Sequence, residues 1–462
     1  MKKNYFSLGL LMLVTILSVN AQSIIYVDAN LTTGANDGSS WADAIRLGRV
    51  VQIGINTATN GDEIRIASGS ITDDTQITVN KAVTITGGYD PGSDTRTGFT
   101  TLTGSSAARR LVINGNLTID LNYLIIENGG TTGAGALIQT NASPTFNNVI
   151  FQNNAGTNGG AVSISAGAAP SFKNVVFSGN SSSGNGAAVF VDGTNSETIS
   201  FTNVVFANNT SSSRAGGIDN LSSATLNLNS CTFYGNTAVN GSGMFLGSSS
   251  TAVINNTVFY GNLANGNPQA FNAQDFTKIS GSSNIASDTQ AGTSISDNSS
   301  NYIALTSDPF TDSSDVDGAD NVFATSDDGL FPAENGQLVG AGDGTYNSES
   351  VDVIGGVRIV EIIDIGAYES SETLNVENLN EESFTTIIYP NPVKAELNIK
   401  IQSNTNNLKI EINDITGKIV FKGSYNDMKN IKLPLGRLSN GLYLLSITSE
   451  NLKQSHKFLV DH

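Results

Sequence analysis

The chain is 462 residues long, 39% hydrophobic and only 14% charged, with a formal net charge of −18 at neutral pH. That length allows two or three domains, the apolar content is enough to bury cores, and the negative charge argues against nucleic acid as a partner. The single cysteine excludes an intrachain disulfide, and the two histidines, His456 and His462, leave the body of the protein without histidine catalysis or histidine zinc ligation.

The charge is uneven. Residues 22–383 carry eleven Lys and Arg against thirty-five Asp and Glu, whereas residues 384–462 carry ten against six. A separate C-terminal domain is therefore expected.

The N-terminus, MKKNYFSLGLLMLVTILSVNAQS, reads as a signal peptide over residues 1–21. Lys2 and Lys3 form the basic region, Phe6 to Leu17 the apolar region, and Val19-Asn20-Ala21 the cleavage site, which predicts export and a mature start at Gln22. The apolar run is too short and wrongly flanked for a spanning helix, so no transmembrane helix is expected in the mature protein. No cysteine follows it to carry a lipid anchor.

Next, apolar residues at Trp41, Ala44, Ile45, Leu47, Val51 and Ile55 predict a short amphipathic helix covering the start of a core. Trp41 is expected to cap the first coil, which leaves no aromatic platform for stacking a sugar. The segments 61–69, 77–89, 110–120 and 121–130 are β-branched runs bounded by Gly and Asn.

A repeat follows. Phe151, Phe177, Phe206, Phe233 and Phe259 recur at steps of 26, 29, 27 and 26 residues, each with an Asn three residues on: Asn154, Asn180, Asn209, Asn236 and Asn262. A period of this size signals a solenoid. The leucine frame of leucine-rich repeats and the turn aspartates of calcium-binding nonapeptide repeats are both missing. Short strands joined by bends and stacked about 4.8 Å apart fit instead. The Phe side chains stack inside, Asn occupies bends with left-handed backbone and bonds the neighbouring turn, and Gly permits a tight bend. The expected fold is all-β: a right-handed parallel β-helix over residues 22–370, with an N-terminal cap and an acidic loop region near its end. Cys231, inside the repeat, reads as a small buried thiol.

Catalytic candidates on the coils are few. Lys173, Asp192, Arg214 and Asp219 are the charged residues to consider, and Arg214 and Asp219 share one coil. Paired carboxylates or a basic residue in a groove would suit a polysaccharide lyase or glycosidase. Nothing pairs these residues with charges one coil away, and Arg109-Arg110 reads as an exposed turn. From Asp308 to Asp328 the chain carries seven Asp and no Lys or Arg. Asp315, Asp317 and Asp320, closed by Asp327 or Asp328, are the candidate ligands for Ca²⁺, which prefers several oxygens in a flexible loop. The frame is not an EF-hand, and a solvated acidic loop is the plainer alternative.

After a polar linker at 371–383, residues 384–462 alternate apolar and polar residues. Leu397, Ile399 and Ile401 share one face, and Leu408, Ile410 and Ile412 share another, which predicts a small antiparallel β-sandwich.

Several motifs carry resemblances. IYVDANLTTGANDGSSWADAI (25–45) with GDEIRIASG (61–69) resembles the opening of secreted bacterial β-helix proteins. The Phe-x-x-Asn coils resemble repeats of chlamydial-type polymorphic outer-membrane proteins, and IIDIGAYE (362–369) resembles the close of choice-of-anchor Q surface proteins. Tyr389-Pro390-Asn391-Pro392, Gly417-Lys418 and Asn440-Gly441-Leu442-Tyr443 resemble the type A C-terminal sorting domain of the Bacteroidota type IX secretion system. That last resemblance implies handling by the type IX machinery, passage through the outer membrane, removal of the domain, and release or attachment to surface lipopolysaccharide. The expected protein is an exported, adhesin-like or matrix-binding passenger without enzymatic activity, with polysaccharide or a cell surface as its partner. A lyase or glycoside hydrolase is the alternative.

Overall fold

The computed structural model describes residues 22–462 apart from 74, 105–107, 131–133, 166, 193–194, 270, 274–278, 280–282, 289–300, 359–361, 371–385, 402–406, 415–417, 427–428 and 450–451. The expected signal peptide and linker lie outside the described residues. The chain divides into two compact units, Met1–Ser371 and Glu372–His462, each with its own core.

Three stacks of parallel strands build the first unit. A typical coil runs Val162–Ile164, Ser171–Ser178 and Ser181–Ser182, then climbs to Val189–Val191 above its own start. In-register pairing places Phe151, Phe177, Phe206, Phe233 and Phe259 directly over one another. Their rings stack at centroid distances of 5.2, 5.1, 4.3 and 4.6 Å. This is the parallel β-helix expected from the repeat. A second column that the motif does not include, Phe146, Phe172 and Phe201, stacks beside the first. Each buried Phe contributes about 2–3 kcal/mol of hydrophobic stabilisation.

The repeated asparagines are fully buried and form a ladder. The Nδ2 of Asn180, Asn209 and Asn236 donates to Phe151 O, Phe177 O and Phe206 O at 2.9, 2.9 and 2.8 Å. Each Oδ1 accepts two bonds from the coil before it; Asn180 Oδ1 takes both Asn154 N and Asn154 Nδ2 at 3.0 Å. The amides therefore bond neighbouring turns as expected, but the left-handed backbone lies one residue earlier. Asn153, Gly179, Asn208, Gly235 and Gly261 carry it, with φ between 54° and 67°. The repeat glycines also act through close approach: a Cβ on Gly217 would sit 2.2 Å from Gly243 O and 2.9 Å from the Phe233 ring.

A second left-handed column, Asn148, Asn174, Asn203, Ser230, Asn256 and Asn284, has φ of 48–54°. Pairing skips these residues: Asn147 pairs with Lys173, then Val149 with Val175. The extra residue resets the in–out alternation, as a bulge does. Phe146, Val149 and Phe151 all reach the core, while Ile150 faces out.

Helix α1 spans Val50–Thr57 and buries Val50, Val51 and Ile55 against Val27 and Ile64, closing the first coil. The helix is shorter than the apolar spacing from Trp41 suggested. Trp41 is outside it and outside the core, half-buried on the outer surface.

Residues 305–358 and 362–370 contain little regular structure and fold back over the coils. Phe310, Val316, Phe323, Leu330 and Tyr368 cover the outward Ile150, Val176, Val205 and Val258. This lobe fastens onto the second left-handed column. Asn347 Nδ2 donates to Asn203 Oδ1 at 2.7 Å and Ser230 Oγ at 2.9 Å, and Asn256 exchanges bonds with Asp343, both at 2.9 Å. Gly366 N donates to Asn256 O at 2.9 Å; its φ is +117°, and a Cβ there would lie 2.9 Å from Thr232 Oγ1.

The second unit is antiparallel. Strands Thr386–Tyr389, Glu396–Ile401 and Asn430–Pro434 form one sheet, and Ile419–Tyr425, Leu408–Asp414, Gly441–Ser449 and Leu452–Val460 form the other. The predicted faces, Leu397, Ile399 and Ile401 with Leu408, Ile410 and Ile412, meet in its core.

Replacing Asn209 by Ala would leave Phe177 O and the Asn180 donors unpaired in a dry core. We expect a loss of about 2–4 kcal/mol in urea unfolding, against about 0.5 kcal/mol or less for the outward Thr202→Ala. Equal midpoints for the two variants would show that the ladder does not hold the coils.

Candidate functional site

The part of each long strand before its left-handed residue presents a regular outer face. One register column runs Tyr26, Arg65, Thr86, Asn122, Asn147, Lys173, Thr202 and Asn229. A second, two residues earlier on each strand, includes Asp120, Thr145, Ser171, Ser200 and Asn227. Alternate residues such as Phe146, Phe172 and Phe201 point to the core, so these columns point out. Some rungs bond along the column: Asn122 Nδ2 donates to Thr86 Oγ1 at 3.4 Å, and Asn255 Nδ2 to Asn229 Oδ1 at 3.2 Å. The result is a polar face, mostly amides and hydroxyls with Arg65, Asp120 and Lys173 among them, that adds one rung per coil; Thr86 is the buried rung. Lys173 reaches from it to Glu349 of the lobe at 2.5 Å, so the lobe borders this face.

Arg214 and Asp219 do come together, on a different stack. Asp219 is fully buried between Phe190 and Phe245 in the outward column of the three-residue strands. Arg214 Nε donates to Asp219 Oδ2 at 3.1 Å, and its guanidinium lies 4.8 Å from the centre of the Phe245 ring. Asp219 Oδ1 has no partner among the described residues. Burial pushes the Asp219 carboxyl up to about 6, with Arg214 pulling the other way. The pair is a desolvated acid held by one cation. Lys173 is taken up by Glu349, and Asp192 follows the strand Val189–Val191, so the four candidates do not converge on one point.

The aspartate loop is organised around its own backbone. Asp320 Oδ1 accepts from Val322 N at 2.8 Å, and Asp327 accepts from Thr325 Oγ1 at 2.7 Å and Asp320 N at 3.3 Å. Asp328 is buried and accepts from Ala324 N at 3.0 Å and from the Tyr368 hydroxyl at 2.6 Å. Asp315 is exposed and Asp317 half-buried. Among the described residues no three His, Cys, Asp or Glu side chains are placed to hold a metal. The structure does not gather Asp315, Asp317, Asp320, Asp327 and Asp328 into a coordination sphere, because turn N–H groups and Thr325 take up the carboxylates nearest them.

Sequence reading missed the buried charges that close the lobe. Arg358 Nη1 lies 3.2 Å from Glu369 Oε2, Arg358 Nη2 donates to Ala367 O at 3.0 Å, and Glu369 N donates to Asp352 Oδ2 at 3.0 Å. Burial pushes Glu369 up to about 7, against Arg358, and Asp328 up to about 6, against the Tyr368 hydrogen bond. Cys231 is buried with its thiol pushed up to about 12, which makes it inert.

Comparison with known proteins identifies the second unit. Residues 387–461 match the family described as the secretion system C-terminal sorting domain. No curated protein matches the chain. Among solved structures, the pectate lyase Pel9A aligns with 76% of this chain and 97% of its own at 12% identity and a TM-score of 0.37, a level that carries no argument about activity. The class is thus an exported parallel β-helix protein with a type IX sorting tail. The tail marks this chain for transport across the outer membrane, to be secreted or attached at the surface. Among the described residues no helix is long and apolar enough to cross a membrane.

Glu369, Asp328 and Asp219 all have folded-state values above the ordinary carboxylate range. Each therefore binds its proton more tightly when folded, so its contribution is present below about pH 4 and lost as pH rises through 6–7. The urea midpoint is expected to rise as the pH is lowered from 8 to 5, and Glu369→Gln should flatten the profile. A midpoint that falls over that interval would contradict the assignment.

Proposed function

We propose that the protein is a non-catalytic surface passenger, adhesin-like, that binds a neutral glycan or matrix polymer along the outer face of its β-helix. The carrying observation is the pair of outward columns between Arg65 and Asn229, which place a polar side chain at each coil, mostly amides and hydroxyls with Arg65, Asp120 and Lys173 among them. A polymer with a repeating unit can bond such a face many times, each bond weak and the sum useful. The acidic body disfavours polyanions, since like charges facing each other cost free energy. Calcium is a further proposal: it would have to draw Asp320, Asp327 and Asp328 away from the donors they now hold.

The full chain, incubated with insoluble neutral polysaccharides with and without Ca²⁺, is expected to be retained equally in both buffers and to release no new chain ends by mass spectrometry. Asn147→Ala with Thr202→Ala should weaken retention several-fold. Undiminished retention by that double variant would remove the face from the binding reading.

The alternative, a glycosidase or lyase, would centre on the Arg214–Asp219 pair, where Arg214 is part-exposed beside the buried Asp219. New chain ends that vanish in Asp219→Asn would establish a glycosidase or lyase.

A further inference from the structure

We propose that Tyr26, Trp41 and Tyr89 form a saccharide-binding subsite at the N-terminal end of the outer polar face; this deepens the binding reading above and rests on it. The three rings come from three parts of the chain. Tyr26 stands on the first strand, Ile24–Val27, where Ile25 and Val27 point inward. Trp41 comes from the loop before helix α1, and Tyr89 from the strand Thr84–Asp90. Trp41 lies 4.8 Å from Tyr26, edge to face, and 5.9 Å from Tyr89, tilted by 45°. All three are half-buried and none belongs to the hydrophobic core, which is closed by aliphatic side chains of helix α1. The three rings are thus part-exposed at the surface, where an aromatic body with a wet polar tip is suited to recognition.

Charged planar groups frame them. Arg65 stacks 5.0 Å from the Tyr89 ring and is fixed by Asp94 Oδ2 at 2.7 Å and Glu63 Oε2 at 3.1 Å. Trp41 Nε1 donates to Asp94 Oδ1 at 2.9 Å, and the Tyr89 hydroxyl donates to Glu63 Oε1 at 3.3 Å. Each carboxylate oxygen still has acceptor capacity, and the Asp94 side chain is 43% exposed. Pre-set rings and immobilised polar groups lower the ordering cost of binding. Pyranose sugars match this chemistry, since their C–H faces lie on aromatic rings while their hydroxyls bond carboxylates and guanidinium groups. Two carboxylates against one guanidinium select a neutral sugar over an anionic one. Register adds the direction: Tyr26 and Arg65 begin the column that continues through Thr86 and Asn122 to Asn147. A chain seated on the rings is aimed along the rungs.

Trp41 is the only tryptophan in the sequence, so its fluorescence reports on this place alone. The full chain would be titrated with cellohexaose, mannohexaose, xylohexaose and maltohexaose, in parallel with polysaccharide retention. The expected result is a saturable change in Trp41 emission with at least one hexasaccharide. Tyr89→Ala should weaken it about tenfold, and Trp41→Phe should retain polymer better than Trp41→Ala. If Trp41→Ala does not fold by circular dichroism, Tyr89→Ala decides. Retained polymer with unmoved emission and unchanged retention by Tyr89→Ala overturns the subsite and leaves the binding reading standing. No retention of any polymer by the unmodified chain overturns both.

Discussion

An amide buried in a dry core without a partner costs about 1–3 kcal/mol for each group left unpaired, and the rest of the first unit is arranged around avoiding that cost. Asn154, Asn180, Asn209, Asn236 and Asn262 each serve two coils at once: Nδ2 turns back to a backbone carbonyl, Ile126 O for Asn154 and a Phe carbonyl for the other four, and Oδ1 serves the coil before. A coil displaced by one residue would break several of these bonds together. Fixed register is what stacks the phenylalanines, aligns the second left-handed column, and sets the outer side chains in straight lines. The ladder thus keeps the outer columns in register from coil to coil.

How much of this could be read from the chain depends on how local each signal is. The Phe-x-x-Asn spacing is visible because one coil is one copy. The Phe146 column is harder to see, because Asn148 shifts the alternation in mid-strand and breaks the period-two pattern that would have paired it with Phe151. Arg214 and Asp219 were legible as partners, being five residues apart in one coil. Their burial was not, since it comes from Phe190 and Phe245 on the neighbouring coils. The aspartates drew attention to a cation; Asp320, Asp327 and Asp328 also accept from short-range turn donors, which spacing alone does not reveal. Trp41 was expected under the first coil because apolar spacing continues through it; helix α1 begins only at Val50, and the loop carries the ring outside.

The folded-back lobe left no periodic trace at all. Its contacts span more than a hundred residues in sequence, as from Asn347 to Asn203 and Ser230, and it is held by buried acids rather than by strands. It divides the outer surface by role. The half of each long strand after the left-handed residue is apolar and covered by Phe310, Val316 and Tyr368, while the half before it is polar and open. The same asparagine that bends the strand is thus also the boundary between packing and presentation.

The lobe's last segment is pinned at Asn256 and Thr232, beside the strand Thr251–Tyr260, although Ser283–Ser287 and Tyr302–Ala304 add further rungs beyond it. The backbone consequently leaves the first unit from the flank of its coil stack, not from the tip. Fraying of those last rungs would therefore leave the clamp on Asn256 and Thr232 in place.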